Sequence, residues 1–309
     1  MAATADEAGG LPRAGYLGPE GTFSEEALLG SSRTGTLVPV GLASIYETVM
    51  ALRAGELDWA VVPIENSLEG SISVTLDLLA GEASDVEIVG EALLRVRHAL
   101  IASGPVELEQ IDTVLTHPQV PGQCSRFLRT ELARARVLPA SSTAEAVRTV
   151  VGDTRPGRAA IGTVLAARIY GGTIVRDAVQ DRDDNETRFV WLARSGEPRE
   201  APLEQAGGSA WRTSLLFWGS GAEHAGWLVR CLQEFAQRDI NLTKIESRPR
   251  REELGNYVFF ADLAARGEEP RVLEALAGLR EICEEVRVLG SYPAADSPVG
   301  TLAPAPDPR

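Results

Sequence analysis

Short apolar runs alternate with segments of helical period along the first two thirds of the chain. Strand-like runs stand at Ala14–Leu17, Trp59–Pro63, Ala99–Ile101, Thr113–Leu115 and Ala159–Ile161. Between them, Thr22-x-x-Glu25, Ser44-x-x-Glu47 and Ser142-x-x-Glu145 each fit a capping box. In that motif a hydroxyl and a carboxylate satisfy N–H groups that the first helical turn leaves unpaired. The alternation predicts an open α/β fold with mostly parallel strands. Ligands of such folds bind at the carboxyl ends of strands, where loops turn into helices.

From about residue 211 the rhythm changes. Thr213–Trp218, Asn241–Glu246, Tyr257–Leu263 and Val286–Leu289 read as strands. Leu228, Cys231, Leu232 and Phe235, and later Val272, Leu273, Leu276 and Leu279, recur at helical spacing. The order is βαββαβ, the ferredoxin-like arrangement. The Pro-, Gly- and Glu-rich stretch Ser195–Gly208 has little periodicity and reads as a linker. We therefore expect a first domain over 14–194, a linker over 195–210 and a second domain over 211–290. Residues 1–13 and 291–309 read as disordered tails.

Composition narrows the function. A chain of 309 residues with 44% hydrophobic and 24% charged residues is long enough for two or three cored domains. The net charge of -14 argues against a nucleic-acid partner, which requires a basic footprint. Any anionic substrate must find positive potential built locally. Cys124, Cys231 and Cys283 form no CxxC pair, and His98, His117 and His224 show no ligand spacing. We expect free thiols, no metal and no cofactor. A signal peptide and an apolar span of membrane length are both missing, so the expected location is cytoplasmic.

The P-loop, the GxGxxG fingerprint and the nucleophile elbow are also missing. Four polar loops remain. Gly18-Pro19-Glu20-Gly21-Thr22-Phe23-Ser24 enters a capped helix, whose N-terminus favours an anion, or is simply a turn and cap. Pro63–Ser71 packs Glu65, Asn66 and Ser67 into one turn, as caps or as carboxylate-binding groups. In Thr116–Cys124, Gln119 and Gln123 share a face if a helix begins near Pro118 or Pro121, while His117 beside a proline is as readily structural. Asp183–Phe189 crowds acids around Thr187 and Arg188 before the apolar run Val190–Leu192, as a site or as a solvated turn.

Taken in order, LGPEGTFS, VPIENSLEG, HPQVPGQC and NETRF resemble the signature segments of the prephenate dehydratase family. Asn241–Pro249 (NLTKIESRP) resembles the ESRP segment of the ACT domain attached to those enzymes. The resemblance runs from about residue 14 to 290. It implies a two-lobed, periplasmic-binding-protein-like α/β catalytic domain, with lobe one over 14–93 and 181–194 and lobe two over 94–180. It also implies decarboxylative dehydration of prephenate to phenylpyruvate, in phenylalanine biosynthesis. By the same resemblance Thr187 is the residue most tied to catalysis. Asn66, Ser67 and the turn Thr22, Phe23, Ser24 hold carboxylates, with Gln119, Gln123 and Phe189 at the substrate. Arg188 contributes charge or pairs with nearby carboxylates. Glu65 is a proton source only if burial raises its pKa, and His117 orients Gln119 or Gln123.

The ACT resemblance implies phenylalanine as effector and a two-fold homo-oligomer, dimer or tetramer. Glu246, Ser247, Arg248 and Pro249 match as they stand, as does Asn241. The second effector motif, normally Gly-Ala-Leu, reads Gly226-Trp227-Leu228 here. The tryptophan fills the effector pocket, reshapes it or faces outward. Alternatives are an arogenate dehydratase, a prephenate decarboxylase, which the intact NETRF segment disfavours, and a non-catalytic binder of organic or amino acids. With no mutase segment visible, prephenate would come from a separate enzyme.

Overall fold

The computed structural model describes residues 10–153, 155–196, 201–204, 210–219, 224–250 and 256–299. In the first lobe, β1 (Arg13–Leu17), β2 (Val38–Leu42), β3 (Trp59–Asn66), β4 (Gly70–Ser71) and β5 (Val86–Arg95) alternate with α1 (Phe23–Ser31), α2 (Ile45–Arg53) and α3 (Ser73–Ala80). The second lobe holds β6 (Ala99–Ala102), β7 (Thr113–Thr116), β8 (Arg136–Pro139), β9 (Arg158–Gly162) and β10 (Thr173–Arg176), with α4 (Val120–Gln123), α5 (Ser125–Thr130), α6 (Thr143–Val151) and α7 (Val164–Tyr170). Strand β11 (Glu186–Arg194) then returns to the first sheet, between β3 and β5.

The hydroxyl half of each of the three capping boxes forms, while Glu25 and Glu47 reach back one residue further, to the N–H of Gly21 and Ala43. Thr22, Ser44 and Ser142 accept from the backbone N–H of Glu25, Glu47 and Glu145 at 3.4, 3.1 and 3.0 Å. The sheets are more mixed than the alternation predicts. β1 runs parallel to β2 and β3, and β7 parallel to β8 and β9. β11 is antiparallel to both its neighbours, as are β6 to β9 and β10 to β6. β6, β10 and β11 are the strands by which the chain enters lobe two, leaves it and re-enters lobe one.

The C-terminal domain is β12 (Trp211–Trp218), α8 (Trp227–Ala236), β13 (Leu242–Pro249), β14 (Tyr257–Leu263), α9 (Pro270–Ile282) and β15 (Glu285–Pro293). Its antiparallel sheet, ordered β13-β14-β12-β15, makes it a ferredoxin-like ACT domain. One sheet face packs on α8 and α9 through Phe217, Cys231, Phe235 and Leu279. Leu216, Val258, Phe260 and Leu289 on the other face join the core of lobe one with Leu76, Ile88 and Val190. The backbones touch there: a Cβ on Gly290 would lie 2.0 Å from the Ile88 carbonyl oxygen, so only glycine lets β15 approach β5 so closely.

The final strand runs past the expected end of this domain to Pro293, and the Val299 N–H then donates to Leu93 O at 2.7 Å, so 291–299 is packed chain rather than a loose tail. Residues 1–9 and 300–309 lie outside the described residues. So do 197–200 and 205–209 of the expected linker, whose described part docks Leu203 beside Gly90 and pairs it with Ser32. No helix of the described residues is long and apolar enough to cross a membrane. Cys124 and Cys231 are buried, and Cys231 Sγ lies 3.7 Å from Cys283 Sγ.

Candidate active site

A cleft of about 680 Å³ lies where the loops after β1, β2 and β3 and the start of β11 meet the second-lobe loops after β7 and β8. Thr22, Phe23 and Ser24, at the start of α1, form one wall. Ser142 and Thr143, at the start of α6, face them from the other lobe. Asn66, Thr187, His117, Gln119 and Gln123 also line it. No Arg or Lys does so among the described residues, and Glu69 and Glu145 are the carboxylates. Positive potential for an anion would therefore have to come from the two helix N-termini and neutral donors.

Thr187 sits near the start of β11, opposite Asn66 of β3. Both are about nine-tenths buried. The Asn66 carbonyl oxygen accepts the N–H groups of Leu68 and Glu69 at 2.9 and 3.0 Å, which settles the direction of its amide. Asn66 Nδ2 then donates to Thr187 Oγ1 and to Asn185 Oδ1, each at 2.9 Å. With its oxygen engaged as an acceptor, the Thr187 hydroxyl is left to aim its hydrogen into the cleft.

Gln119 and Gln123 do converge, although α4 is only four residues long and breaks at Cys124. Both amide nitrogens reach Glu69, Gln123 at 2.7 Å. A carboxylate only accepts, so the Gln123 NH2 must face Glu69 and its oxygen must face His98 Nε2, 2.9 Å away. His98 is therefore the Nε2–H tautomer. His98, not His117, orients Gln123; His117 receives only a long 3.5 Å contact from the Gln119 N–H. Phe23 packs edge-on against His98 with centroids 5.4 Å apart.

Burial lowers the His98 pKa, and the hydrogen bond to Gln123 opposes that only in part. The unfolded chain then takes up this proton more readily than the folded one. The stability tied to this histidine is complete above pH 6.5, its ordinary value, and declines as pH falls below it. The decline approaches ~1.4 kcal/mol per pH unit while only the unfolded state is protonated. Denaturation midpoints at about pH 7.5 and 5.5 should differ in the wild type and differ less in His98→Gln.

Four expected site residues stand elsewhere. Arg188 and Glu65 follow and precede Thr187 and Asn66, so strand alternation turns them to the opposite face. There Arg188 pairs with Glu65 at 3.0 Å, Glu91 at 3.3 Å and Asp262 of the ACT domain at 2.8 Å. Glu65 also lies 3.5 Å from Lys244, so it is an ion-pair partner at the domain seam and no proton source for the cleft. Ser67 accepts the Glu186 N–H at 3.0 Å and staples the β3–β4 turn to β11. Phe189 is core beneath α1 with Tyr16 and Trp191. Sequence reasoning missed His98, which lies outside every signature segment, and gave no role to Glu69 and Asn185, which stand inside the VPIENSLEG and NETRF segments. Among the described residues no group of His, Cys, Asp and Glu could hold a metal.

In the ACT domain, Gly226 caps α8 with φ 81°. Trp227 is buried, its ring 5.8 Å from Phe259 and 6.3 Å from Phe217, with Nε1 donating to Ile282 O at 3.2 Å. It does not face outward. Leu228 is half-buried against the same core. Along edge strand β13, Lys244, Glu246 and Arg248 turn toward lobe one, while Ile245, Ser247 and Pro249 are exposed. Arg248 grips both oxygens of Asp77 at 3.0 Å, and Glu246 accepts from Ser71. Asn241 precedes β13 and accepts the Ala264 N–H at 2.9 Å.

The family model for prephenate dehydratase matches residues 14–197. A prephenate dehydratase of Mycobacterium sp. (strain KMS) is 40% identical over 308 residues, covering 96% of this chain and 92% of that protein. The crystal structure of prephenate dehydratase from Arthrobacter aurescens in complex with L-Phe is 35% identical, with TM-score 0.82, covering 94% of this chain and 93% of the other. A structure described as GqqA, a novel type of quorum quenching acylases, is 29% identical with TM-score 0.78, covering 92% and 98%. The chain belongs to the prephenate dehydratase family and, like the relatives it matches along nearly its whole length, carries that lyase activity.

Proposed function

We propose that the cleft turns prephenate into phenylpyruvate with Thr187 as the donor at the departing hydroxyl. The observation that carries this is the Asn66-to-Thr187 hydrogen bond, which frees the Thr187 O–H to point into the cleft. In the reaction the ring carboxylate leaves as CO2, and its bonding pair enters the ring as the C–O bond breaks. The hydroxide departs against the Thr187 hydrogen and becomes water with a proton from solvent. Aromatisation drives the step. The enzyme's share is to place the dianion and stabilise the leaving oxygen, which preorganised neutral donors do without reorganising at the moment of reaction. Gln119, Gln123 and the α1 and α6 N-termini supply the carboxylate contacts.

Purified protein should release phenylpyruvate from prephenate, assayed with arogenate in parallel. Turnover of arogenate alone would move the substrate assignment, and turnover of neither would sink the proposal. An acylase reading lacks support in the geometry. Among the described residues no cleft hydroxyl shares a hydrogen bond with His98 or His117, so the activated nucleophile such chemistry needs is missing.

We infer further that phenylalanine is the effector and that ACT domains pair two-fold. Supporting this are the exposed edge strand β13, with Ile245 47% accessible, and exposed Val229 on α8. Trp227 spends its bulk inside the domain core, leaving Gly226 and Leu228 in place. Calorimetry should show saturable L-phenylalanine binding below millimolar ligand, and light scattering a dimer or tetramer. No heat at millimolar phenylalanine would overturn the effector assignment.

A further inference from the structure

Glu69 lies in the turn between β3 and β4 of the first lobe, yet its carboxylate is held by the second. Its two oxygens each accept one amide N–H, from Gln119 and from Gln123. The Gln123 amide is already aimed by His98 on its oxygen side. Two oriented amide donors converging on the two oxygens of one carboxylate form a carboxylate-binding pair. The cleft has no Arg or Lys among its described lining, so these donors are scarce, and in this structure a side chain of the protein itself occupies them.

We propose that Glu69 is an intramolecular stand-in for a substrate carboxylate, and that it sets substrate affinity by competing for Gln119 and Gln123. This rests on the reading of the cleft as the prephenate site. A dianion entering the cleft would meet the Glu69 charge at close range and without a neighbouring cation, so binding requires Glu69 to turn away. It can do so, because it is exposed on its turn and its carboxylate is held only by the two glutamine amides among the described residues.

Its loss would not loosen the lobes. Thr163 Oγ1 donates to Gly21 O at 2.6 Å, and the Tyr170 hydroxyl to Glu20 O at 2.8 Å. Gly21 presses so closely on α7 that a Cβ there would lie 2.8 Å from Ala166 Cα. These contacts hold the two lobes together at the back of the cleft. Removing Glu69 therefore frees two donors and leaves the walls standing.

The test is steady-state kinetics on Glu69→Ala and Glu69→Gln, with the inhibition constant of phenylpyruvate measured alongside. KM for prephenate should fall about fivefold in Glu69→Ala, the worth of ~1 kcal/mol released from a competing charged hydrogen bond. Glu69→Gln, whose one carbonyl oxygen still accepts a single amide, should lie between. Phenylpyruvate inhibition should tighten in the same order. An unchanged or raised KM in Glu69→Ala, with native-like melting, overturns the competition. If the wild type does not turn over prephenate at all, the assignment of the reaction fails instead. Calorimetric binding of phenylpyruvate to wild type and Glu69→Ala then decides the competition by itself: tighter binding in the variant supports it, and equal or weaker binding overturns it.

Discussion

Thr187→Ala should lower kcat by roughly 10²–10⁴-fold, the range typical of a positioned proton-donating group. The side chain is small and the strand is paired on both sides, so the fold should survive the change. Asn66 keeps its bond to Asn185 Oδ1, and no buried donor is stranded. KM should move little, because the proposed carboxylate contacts lie elsewhere in the cleft, on Gln119, Gln123 and the helix N-termini. A loss carried by kcat alone identifies an interaction made in the transition state. Thr187→Ser should retain much of the rate, since the hydroxyl that accepts from Asn66 and donates to the cleft remains. Asn66→Ala should mimic part of the loss, by releasing the Thr187 hydrogen to bond elsewhere. The check is single-turnover phenylpyruvate formation by purified variants with native melting curves. A loss below tenfold in Thr187→Ala would remove Thr187 from the chemistry.

Much of this molecule is legible in its amino-acid sequence. The capping hydroxyls Thr22, Ser44 and Ser142 announce their helices, because a cap is a local interaction written within four residues. The βαββαβ order of the C-terminal domain follows from local periodicity too. Strands β2, β5, β8 and β10 escape a reading of local pattern. The exposed pattern of β2 and β8 hides their pairing, and β5, at the edge of the first sheet, gains its ladder partner only once β11 returns beside it. The same limit applies to the site. Glu69 stands fifty or more residues before Gln119 and Gln123 and meets them only because two lobes close. His98 looks like an isolated imidazole in an apolar run until the lobe crossing places it behind Gln123. The misplacement of Arg188 and Glu65 has a different origin. A signature segment on a strand presents alternate residues to opposite faces, so one motif serves two places. The alternation itself is readable: if Thr187 faces the cleft, Arg188 does not.

That parity has a measurable consequence at Arg188, the centre of a buried ionic cluster joining lobe one to the ACT domain. Its side chain is 7% exposed, that of Glu91 0% and that of Asp262 8%. Arg212 shares the load, with Nε 2.9 Å from Glu91. Ser214 Oγ donates to Asp262 Oδ1 at 2.6 Å, and the Ala295 N–H to Glu91 Oε1 at 2.9 Å. Glu91 and Asp262 thus depend on partners fixed by both domains. Arg188→Ala leaves two buried carboxylates facing one remaining close arginine. Removing one member of such a cluster costs about 3–5 kcal/mol, chiefly for the uncompensated charge left behind. Arg188→Met should cost less than alanine by keeping the packed volume. Adding Asp262→Asn to Arg188→Met should recover part of the loss, because it removes the stranded charge while keeping a polar partner for Ser214. Urea denaturation of the single and double variants measures the coupling. The catalytic readout separates this role from a site role. At a temperature where Arg188→Met is folded, its kcat should fall far less than that of Thr187→Ala. A hundredfold loss of kcat at unchanged melting temperature would instead place the Arg188 guanidinium at the substrate, and the two-faced reading of β11 would be wrong.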